Sequence, residues 1–300
     1  MSEKQAAEEL GYTTALLPEP NDEPEGRPPK PFVKWAGGKR RVIPHLIARM
    51  PETFGAFHEP FIGGGALLFF LAPTRDTEVP WAHISDQNAR LIRTYRAIRD
   101  DVDGVIAVLE THAKQHDRNY YYATRSWDID AATKDAEVAA WVVYLNRTCF
   151  NGLYRVNRKG GFNVPMGNYK APKILNEDNL RACSWALRNV GIEREDFSAV
   201  LDRANEGDVV YFDPPYAPVS PTASFTSYTK DGFGTDDQTR LRDLALELKN
   251  KGVSVMLSNH DVPLIRELYQ DDFTIETVLV ARAINSRANG RGAVPEVIVS

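Results

Sequence analysis

The sequence has little cysteine, no long apolar run and no excess of basic residues. Cys149 and Cys183 are its only cysteines and form no CxxC pair, so neither a disulfide framework nor a metal site is predicted. No apolar stretch approaches the ~18 residues of a membrane helix, and the N-terminus has no signal-peptide pattern. We therefore expect a cytoplasmic protein with no membrane partner.

The formal net charge of −5 is the wrong sign for a protein that binds nucleic acid, but the charge is unevenly distributed. Residues 1–30 carry seven acids and three bases and are rich in proline, which predicts a disordered tail. Residues 147–173 carry six bases and no acid. Because a local basic patch indicates a nucleic-acid surface better than net charge does, this stretch is the candidate contact region.

Short apolar strands alternate with helical patterns along most of the remaining chain. Strands are predicted at residues 57–61, 81–85, 208–212 and 253–257. One intervening helix is predicted from the spacing of Leu91, Ile92, Tyr95 and Ile98. This alternation predicts an open, mostly parallel α/β sheet, which binds ligands at the carboxyl ends of its strands.

A second helix is predicted after residue 234. Thr235 and Gln238 have capping-box spacing, and Gly252 is a helix-terminating glycine. Residues 95–185 break the strand–helix rhythm, since they have a helical pattern followed by a basic loop pattern. We predict an insertion at 95–185, a sheet domain built from 31–94 and 186–300, and the tail at 1–30.

The most specific motif is Asp213-Pro214-Pro215-Tyr216, directly after an apolar strand. Asp213 and the Pro214 carbonyl could accept hydrogen bonds from an aromatic amino group and favour a tetrahedral, nucleophilic nitrogen. The prolines lack N–H groups and fix φ, so the segment would be rigid, and Tyr216 could stack on an extruded base. The alternative interpretation is a plain strand-terminating turn.

Three weaker motifs lie near other predicted strand ends. Gly63 and Gly65 follow the first strand, but Leu68 replaces the third glycine of a dinucleotide fingerprint. Asp86 ends the second strand, where an acid could bind ribose hydroxyls or cap the next helix. Trp35 and Lys39 flank glycines and could bind an adenosyl group and a carboxylate, although a structural turn is the simpler interpretation.

Together these segments resemble the DNA adenine methylase (Dam) family, from about residue 31 to the C-terminus. KWAGGK, EPFIGGG, the acid Asp86, a recognition insert and DPPY occur in the family's order. Within the insert, NRTCFNGLYRVN at 146–157 and GFNVP at 161–165 resemble the family's DNA-contacting hairpin. Asn168 departs from the family pattern, which has arginine there.

The resemblance implies a Rossmann-like S-adenosylmethionine-dependent methyltransferase sheet with an inserted, mainly helical DNA-recognition domain. It implies cofactor binding by Trp35, Lys39, Glu59, Phe61, Gly63, Gly65, Asp86 and Asp213. It implies that catalysis belongs to Asp213, Pro214, Pro215 and Tyr216. It implies DNA contacts by Phe150, Asn151, Leu153, Arg155, Asn157, Asn163 and Tyr169. Of these, Arg155 suits the O6 and N7 of guanine.

The implied activity is methylation of adenine N6 in duplex DNA by base flipping, without a metal, and the implied site is GATC. A monomer is expected, and a cognate restriction endonuclease could be its partner. Three alternatives stay open: methylation of cytosine N4, methylation of adenine in RNA, and a non-catalytic DNA-binding module on the same fold. Asp213 favours adenine, and the basic hairpin favours duplex DNA.

Overall fold

The structure is a computed structural model that describes residues 28–35, 38–39, 41–72, 81–219, 233–281 and 293–300. The predicted acidic tail at 1–30 lies outside these residues except for its last three. Two residues of the KWAGGK motif, Ala36 and Gly37, also lie outside them. Within the part of the chain that is described, no helix is long and apolar enough to span a membrane.

The fold is mixed α/β, with a seven-stranded sheet in the order β3-β2-β1-β4-β5-β7-β6. Its strands are β1 (Phe57–Glu59), β2 (Ala82–Ser85), β3 (Val190–Glu193), β4 (Val209–Phe212), β5 (Ser254–His260), β6 (Ile275–Ala281) and β7 (Ala293–Val299). The pairs β1–β4, β2–β3 and β4–β5 are parallel, and β7 is antiparallel to β5 and β6. The predicted α/β sheet is confirmed, with strand bounds shifted by a few residues.

The helices are α1 (Ile43–Ile47), α2 (Ala66–Leu71), α3 (Ala89–Asp100), α4 (Val102–Gln115), α5 (Arg118–Arg125), α6 (Asp135–Thr148), α7 (Glu177–Leu187), α8 (Val200–Arg203), α9 (Thr235–Asn250) and α10 (Pro263–Tyr269). Short 3-10 turns lie at Ile129–Ala131, Phe150–Gly152 and Phe197–Ala199. The helix predicted from residues 91, 92, 95 and 98 is α3, and all four side chains are buried.

The chain divides into two compact units. Of the described residues, the first unit contains 41–61 and 196–300, and the second contains 28–39 and 62–195. The first unit holds β1, β4, β5, β6 and β7, with an apolar core formed by buried side chains of β4, α9, β5 and α10. The second is mainly helical, and its helix α6 buries eleven of fourteen residues. A helix that is apolar on nearly every face forms the centre of a bundle.

The start of α9 differs from the predicted capping box. The N-cap is Gly234 rather than Thr235, and its N–H donates to Asp237 Oδ2 at 2.9 Å. Gln238 therefore has no capping role, and its side chain points into the protein with 2% exposure. The end is as predicted, since Gly252 has φ 81° just after the helix.

Candidate functional site

The acid–proline turn, residues 213–216, follows β4 in the first unit. All four residues of β4 are buried, so the strand is held from both faces and delivers the turn at a fixed place. Because β1, β4 and β5 are parallel, their carboxyl ends lie at one edge of the sheet. The turn is only partly enclosed: Asp213 is half-buried and Pro215 is exposed.

Asp213 is held by a hydroxyl pair from the sheet. Ser258 Oγ donates to Asp213 Oδ1 at 3.2 Å, and Ser258 Oγ lies 2.8 Å from the hydroxyl of Tyr211. Both hydroxyl residues are fully buried. The burial of Tyr211, reinforced by the charge of Asp213, raises its pKa, so the phenol stays protonated and can donate. The carboxylate is therefore oriented by two groups that cannot move into solvent.

Two buried amides hold the other half of the turn. Gln238 Nε2 donates to the Pro215 carbonyl at 2.9 Å, and Asn259 Oδ1 accepts from the Ala217 N–H at 2.9 Å. The amides also bind each other, since Asn259 Nδ2 donates to Gln238 Oε1 at 3.2 Å. Among the described residues, no donor bonds the Pro214 carbonyl.

Both the ring and the hydroxyl of Tyr216 make contacts that hold the side chain in place. Its hydroxyl donates to Glu296 Oε2 at 2.9 Å, and its ring lies edge-on to His260 with centroids 4.8 Å apart. Burial is the largest cause of a raised Tyr216 pKa, and the carboxylates of Asp213 and Glu296 raise it further. The ring is thus a neutral aromatic surface held beside the carboxylate of Asp213.

Besides Asp213, two predicted cofactor residues lie in the first unit, at and just after β1. Glu59 is 3% exposed, and Phe61 is half-buried within an aromatic cluster. The Phe61 ring stacks on Phe197 at 5.3 Å and meets Phe212 and Phe233 edge-on. Such a cluster can hold one face of a flat ring.

The glycine loop of the second unit needs its glycines for steric reasons. Gly63 and Gly65 have φ of 45° and 67°, a region that favours glycine. A Cβ on Gly63 would lie 2.8 Å from the Trp35 ring, and one on Gly65 would lie 2.6 Å from the Tyr95 hydroxyl. The predicted residues Trp35 and Gly63 are therefore in direct contact, which the sequence could not show.

Asp86 follows β2 but does not cap the next helix. Asn88 is the N-cap of α3, and its side chain accepts from the Leu91 N–H at 3.2 Å. Asp86 accepts instead from the Asn88 N–H at 2.8 Å and, more weakly, from the Gly63 N–H at 3.4 Å. Burial raises its pKa, opposed by these N–H groups. The capping alternative is wrong, and the carboxylate is positioned next to the glycine loop.

All the predicted DNA-contacting residues except Tyr169 lie on an antiparallel hairpin of the second unit, residues 149–166. Isolated bridges pair Cys149 with Met166 and Val156 with Phe162. Asn157 shapes the hairpin's turn, because its Oδ1 accepts from the Lys159 and Gly161 N–H groups at 2.9 and 3.0 Å. The exposed basic side chains of the hairpin and of the segment that follows it are Arg155, Arg158, Lys159, Lys170 and Lys173.

One base of this stretch is structural. Arg147 donates to the Phe32 carbonyl through Nε and Nη2, at 3.2 and 2.8 Å, and is half-buried. Its burial lowers the guanidinium pKa. Sequence spacing alone did not separate this arginine from the five exposed bases.

The hairpin also exposes large apolar side chains. Phe150, Leu153 and Val156 are 40–47% exposed, although soluble proteins rarely expose several such residues close together. Asn151, beside Phe150, has φ 56° and is the one non-glycine residue with positive φ among the described residues. The turn at Phe150–Gly152 therefore combines an exposed aromatic ring with a backbone conformation that is uncommon for a non-glycine residue.

Arg155 is pre-oriented on this hairpin. Its Nε donates to Asn163 Oδ1 at 2.7 Å, and the Asn163 N–H donates to the Arg155 carbonyl at 3.1 Å. The guanidinium is therefore aimed by its cross-strand neighbour while it stays exposed. A planar guanidinium held in this way is suited to bidentate contact with a base edge.

Asn146, which the sequence did not single out, joins the hairpin to the segment that carries Trp35 through hydrogen bonds. Asn146, 1% exposed, accepts from the Lys34 N–H at 2.7 Å and donates to the carbonyls of Lys34 and Gly152 at 2.8 and 2.9 Å. Trp35 also stacks on Tyr154 with centroids 5.2 Å apart. The only signal in the sequence was the position of Asn146 at the head of the NRTCFNG segment.

Two predicted site residues remain: Tyr169, a predicted DNA contact, and Lys39, a predicted cofactor-binding residue. Tyr169 is 36% exposed, and Lys34 Nζ lies 5.1 Å from its ring centroid, a cation–π contact. Lys39 is 5% exposed. No group of three or more His, Cys, Asp or Glu side chains within the described ranges could hold a metal ion.

The chain matches one protein family and is similar to several named proteins. A family profile described as "D12 class N6 adenine-specific DNA methyltransferase" matches residues 35–284. The chain is 45% identical over 276 residues to "Type II methyltransferase M1.LlaDCHI" of Lactococcus lactis subsp. cremoris, covering 90% of this chain and 95% of the relative. It is 40% identical over 278 residues to "Type II methyltransferase M.MjaIII" of Methanocaldococcus jannaschii, covering 87% and 95%. It is 36% identical over 273 residues to "DNA adenine methylase" of Haemophilus influenzae, covering 90% and 92%.

Proposed function

We propose that this chain, which belongs to the D12 class of N6 adenine-specific DNA methyltransferases, methylates adenine in duplex DNA at GATC after flipping the base out of the helix. The observation that carries the proposal is the rigid turn after β4. There Asp213 is oriented by Ser258, the Pro214 carbonyl has no described donor, and the neutral ring of Tyr216 lies alongside.

The turn would raise the nucleophilicity of N6. Asp213 and the Pro214 carbonyl accept the two N–H hydrogens, which favours a tetrahedral nitrogen with a free lone pair. N6 would form the new N–C bond as the C–S bond of the methyl donor breaks, and Asp213 would accept the surplus proton of N6 directly or pass it to water. Much of the rate comes from holding the two reactants in position.

S-adenosylmethionine would supply an electrophilic methyl group on a sulfonium. The residues present fit it, because Asp86 offers a carboxylate for ribose hydroxyls and Trp35 and Phe61 offer aromatic faces. The Lys39 ammonium would pair with the cofactor carboxylate. Glu59, Gly63, Gly65 and Asp213 complete the proposed set.

Replacing Asp86 by asparagine should weaken cofactor binding without weakening the fold. Loss of a charged hydrogen bond of about 1.5–3 kcal/mol corresponds to a roughly 10- to 150-fold higher Kd for S-adenosylmethionine. Burial raises the pKa of Asp86, so the folded protein holds the proton of this carboxyl more tightly than the unfolded chain does. The resulting contribution to the free energy of unfolding is fully present below pH 3.8, the ordinary pKa, and is lost as pH rises through the higher folded pKa. At pH 7 the Tm of D86N should equal or exceed that of the wild type.

Calorimetric titration and thermal melts at pH 3.5 and 7 check both parts of this prediction. Exposed Asp178, also in the second unit, supplies the control variant D178N, which should change neither cofactor affinity nor Tm. An unchanged Kd in D86N would remove Asp86 from the cofactor site.

The hairpin would open the duplex and read the site. Phe150 and Asn151 enter the space left by the flipped adenine, and Tyr216 stacks on the base. Unstacking costs a few kcal/mol, which the stacking and the hairpin contacts offset. Leu153, Arg155 and Tyr169 contact base edges, while Asn157 and Asn163 meet phosphate or sugar.

The site is tested by tritium transfer from labelled S-adenosylmethionine to matched duplexes. A duplex with one GATC should accept label on adenine, and duplexes with one base of the site replaced should accept roughly 5- to 150-fold less, since one mismatch costs about 1–3 kcal/mol. An adenine-free duplex and an RNA of the same sequence test the cytosine and RNA alternatives. Preferred labelling of another sequence would reject GATC, and absence of any transfer would favour the non-catalytic module.

The proposed partner is double-stranded DNA, bound by a monomer in the cytoplasm. Two of the relatives above are named Type II methyltransferases, which favours a cognate restriction endonuclease that cleaves the unmethylated site. Mapping of N6-methyladenine in cells that express the chain, followed by digestion with an endonuclease specific for the mapped site, tests whether the modification protects the DNA.

A further inference from the structure

Gln238 occupies a position where a polar side chain needs a specific partner. It lies in the first turn of α9, is 2% exposed, and was expected from the sequence to cap the helix. Its amide instead bridges two parts of the active-site edge: Nε2 donates to the Pro215 carbonyl, and Oε1 accepts from Asn259 Nδ2. A buried amide with both ends bonded fixes the groups that it joins.

The bond to Pro215 limits the direction of the preceding carbonyl. The Pro214 carbonyl belongs to the peptide that joins the two prolines. The ring of Pro215 fixes the φ angle of Pro215, the residue after that peptide. The hydrogen bond from Gln238 then fixes the direction of the Pro215 carbonyl. Asn259 then fixes the chain at the Ala217 N–H. The remaining rotations of residues 214–216 are therefore restrained by two amides on α9 and β5.

We propose that Gln238, supported by Asn259, is a positioning residue that aims the Pro214 carbonyl at the adenine amino group. This inference rests on the proposed function, because it takes that carbonyl to accept an N6 hydrogen. Gln238 itself contacts neither substrate. Its effect should therefore appear in the rate of methyl transfer and not in the affinity for DNA or cofactor.

Two variants test the bond in different ways. Gln238→Glu keeps an acceptor for Asn259 but places a carboxylate oxygen against the Pro215 carbonyl, and Gln238→Met removes both hydrogen bonds without adding charge. In single-turnover methylation of a duplex, each should be about 10- to 100-fold slower than the wild type, the range expected for a misplaced reacting group. The Kd for DNA and the Kd for S-adenosylmethionine should each change less than about threefold.

A matched control separates positioning from general destabilisation. Leu248 is fully buried at the other end of α9, so Leu248→Ala should lower Tm at least as much as the Gln238 variants. Its single-turnover rate, measured well below Tm, should stay within about twofold of the wild type. Equal rate losses in L248A and the Gln238 variants would overturn the inference, as would Gln238 variants within twofold of the wild type.

If both Gln238 variants fail to fold, Asn259→Asp gives the same test. It keeps the oxygen that accepts from Ala217 and removes the donor to Gln238. A wild-type rate in N259D would overturn the support assigned to Asn259. Asp213→Ala is measured alongside: its full activity would reject the proposed mechanism, whereas an inactive D213A with normal Gln238 variants would reject only this inference.

Discussion

Replacement of Asp213 by alanine should lower the single-turnover rate of methyl transfer by at least about 100- to 1,000-fold, the range for removing one preorganised polar group from an active site. In the proposed mechanism the Asp213 carboxylate is the charged acceptor of the turn, and neither Pro214 nor Tyr216 carries a charge that could replace it. Quenched-flow measurement with labelled S-adenosylmethionine on a saturating duplex gives the rate.

The fold should survive this change for a specific reason. Ser258, which donates to Asp213, keeps its hydrogen bond with Tyr211, so no buried hydroxyl is left alone. DNA affinity should stay close to that of the wild type, since the hairpin lies in the other unit. Asp202→Ala, on an exposed position of the first unit, is the control and should be fully active. Turnover of D213A at the wild-type rate would end the mechanism proposed for the turn.

Arg155→Ala should reduce discrimination between GATC and related sites. Loss of a bidentate arginine–guanine contact removes about 1–3 kcal/mol of selectivity, which corresponds to a roughly 5- to 150-fold smaller ratio of kcat/KM between the preferred duplex and one with that guanine replaced. The observation behind this magnitude is the bond from Arg155 Nε to Asn163, which orients the guanidinium before DNA binds. Steady-state kinetics on the two duplexes measure the ratio.

Lys159→Ala provides the contrast, because Lys159 is exposed at the turn of the same hairpin. Loss of a phosphate contact weakens binding to all duplexes alike and leaves the ratio unchanged. If R155A behaves like K159A, Arg155 is a phosphate contact and another side chain reads the guanine.

Much of the site could be predicted because its residues follow strand ends in the sequence. Asp86 and Asp213 each come directly after a short apolar strand, and the structure has β2 and β4 there. Gly63 and Gly65 were predicted to follow the first strand, and in the structure they follow β1 with positive φ. These features are local, since a strand, its end and the next side chain lie within a few residues.

The supporting residues could not be predicted from local pattern. Gln238 is 23 residues from the carbonyl that it binds, and Asn146 is 112 residues from Lys34. Gln238 also matched a capping box by spacing, but Gly234 was placed at the cap because α9 begins one residue earlier than expected. Strands β3, β6 and β7 were likewise not predicted, and the last two are antiparallel additions outside the β–α alternation.

The three hydrogen bonds of Asn146 have a practical consequence for redesign of the recognised sequence. Hairpins exchanged between relatives would bring a new Gly152 carbonyl against an unchanged Asn146 amide and a new Tyr154 ring against an unchanged Trp35 ring. Transplants confined to residues 149–166 should therefore yield misfitted chimaeras. Segments 31–35 and 146–169 should instead be exchanged together, so that Asn146 keeps its own hydrogen-bond partners on Lys34 and Gly152.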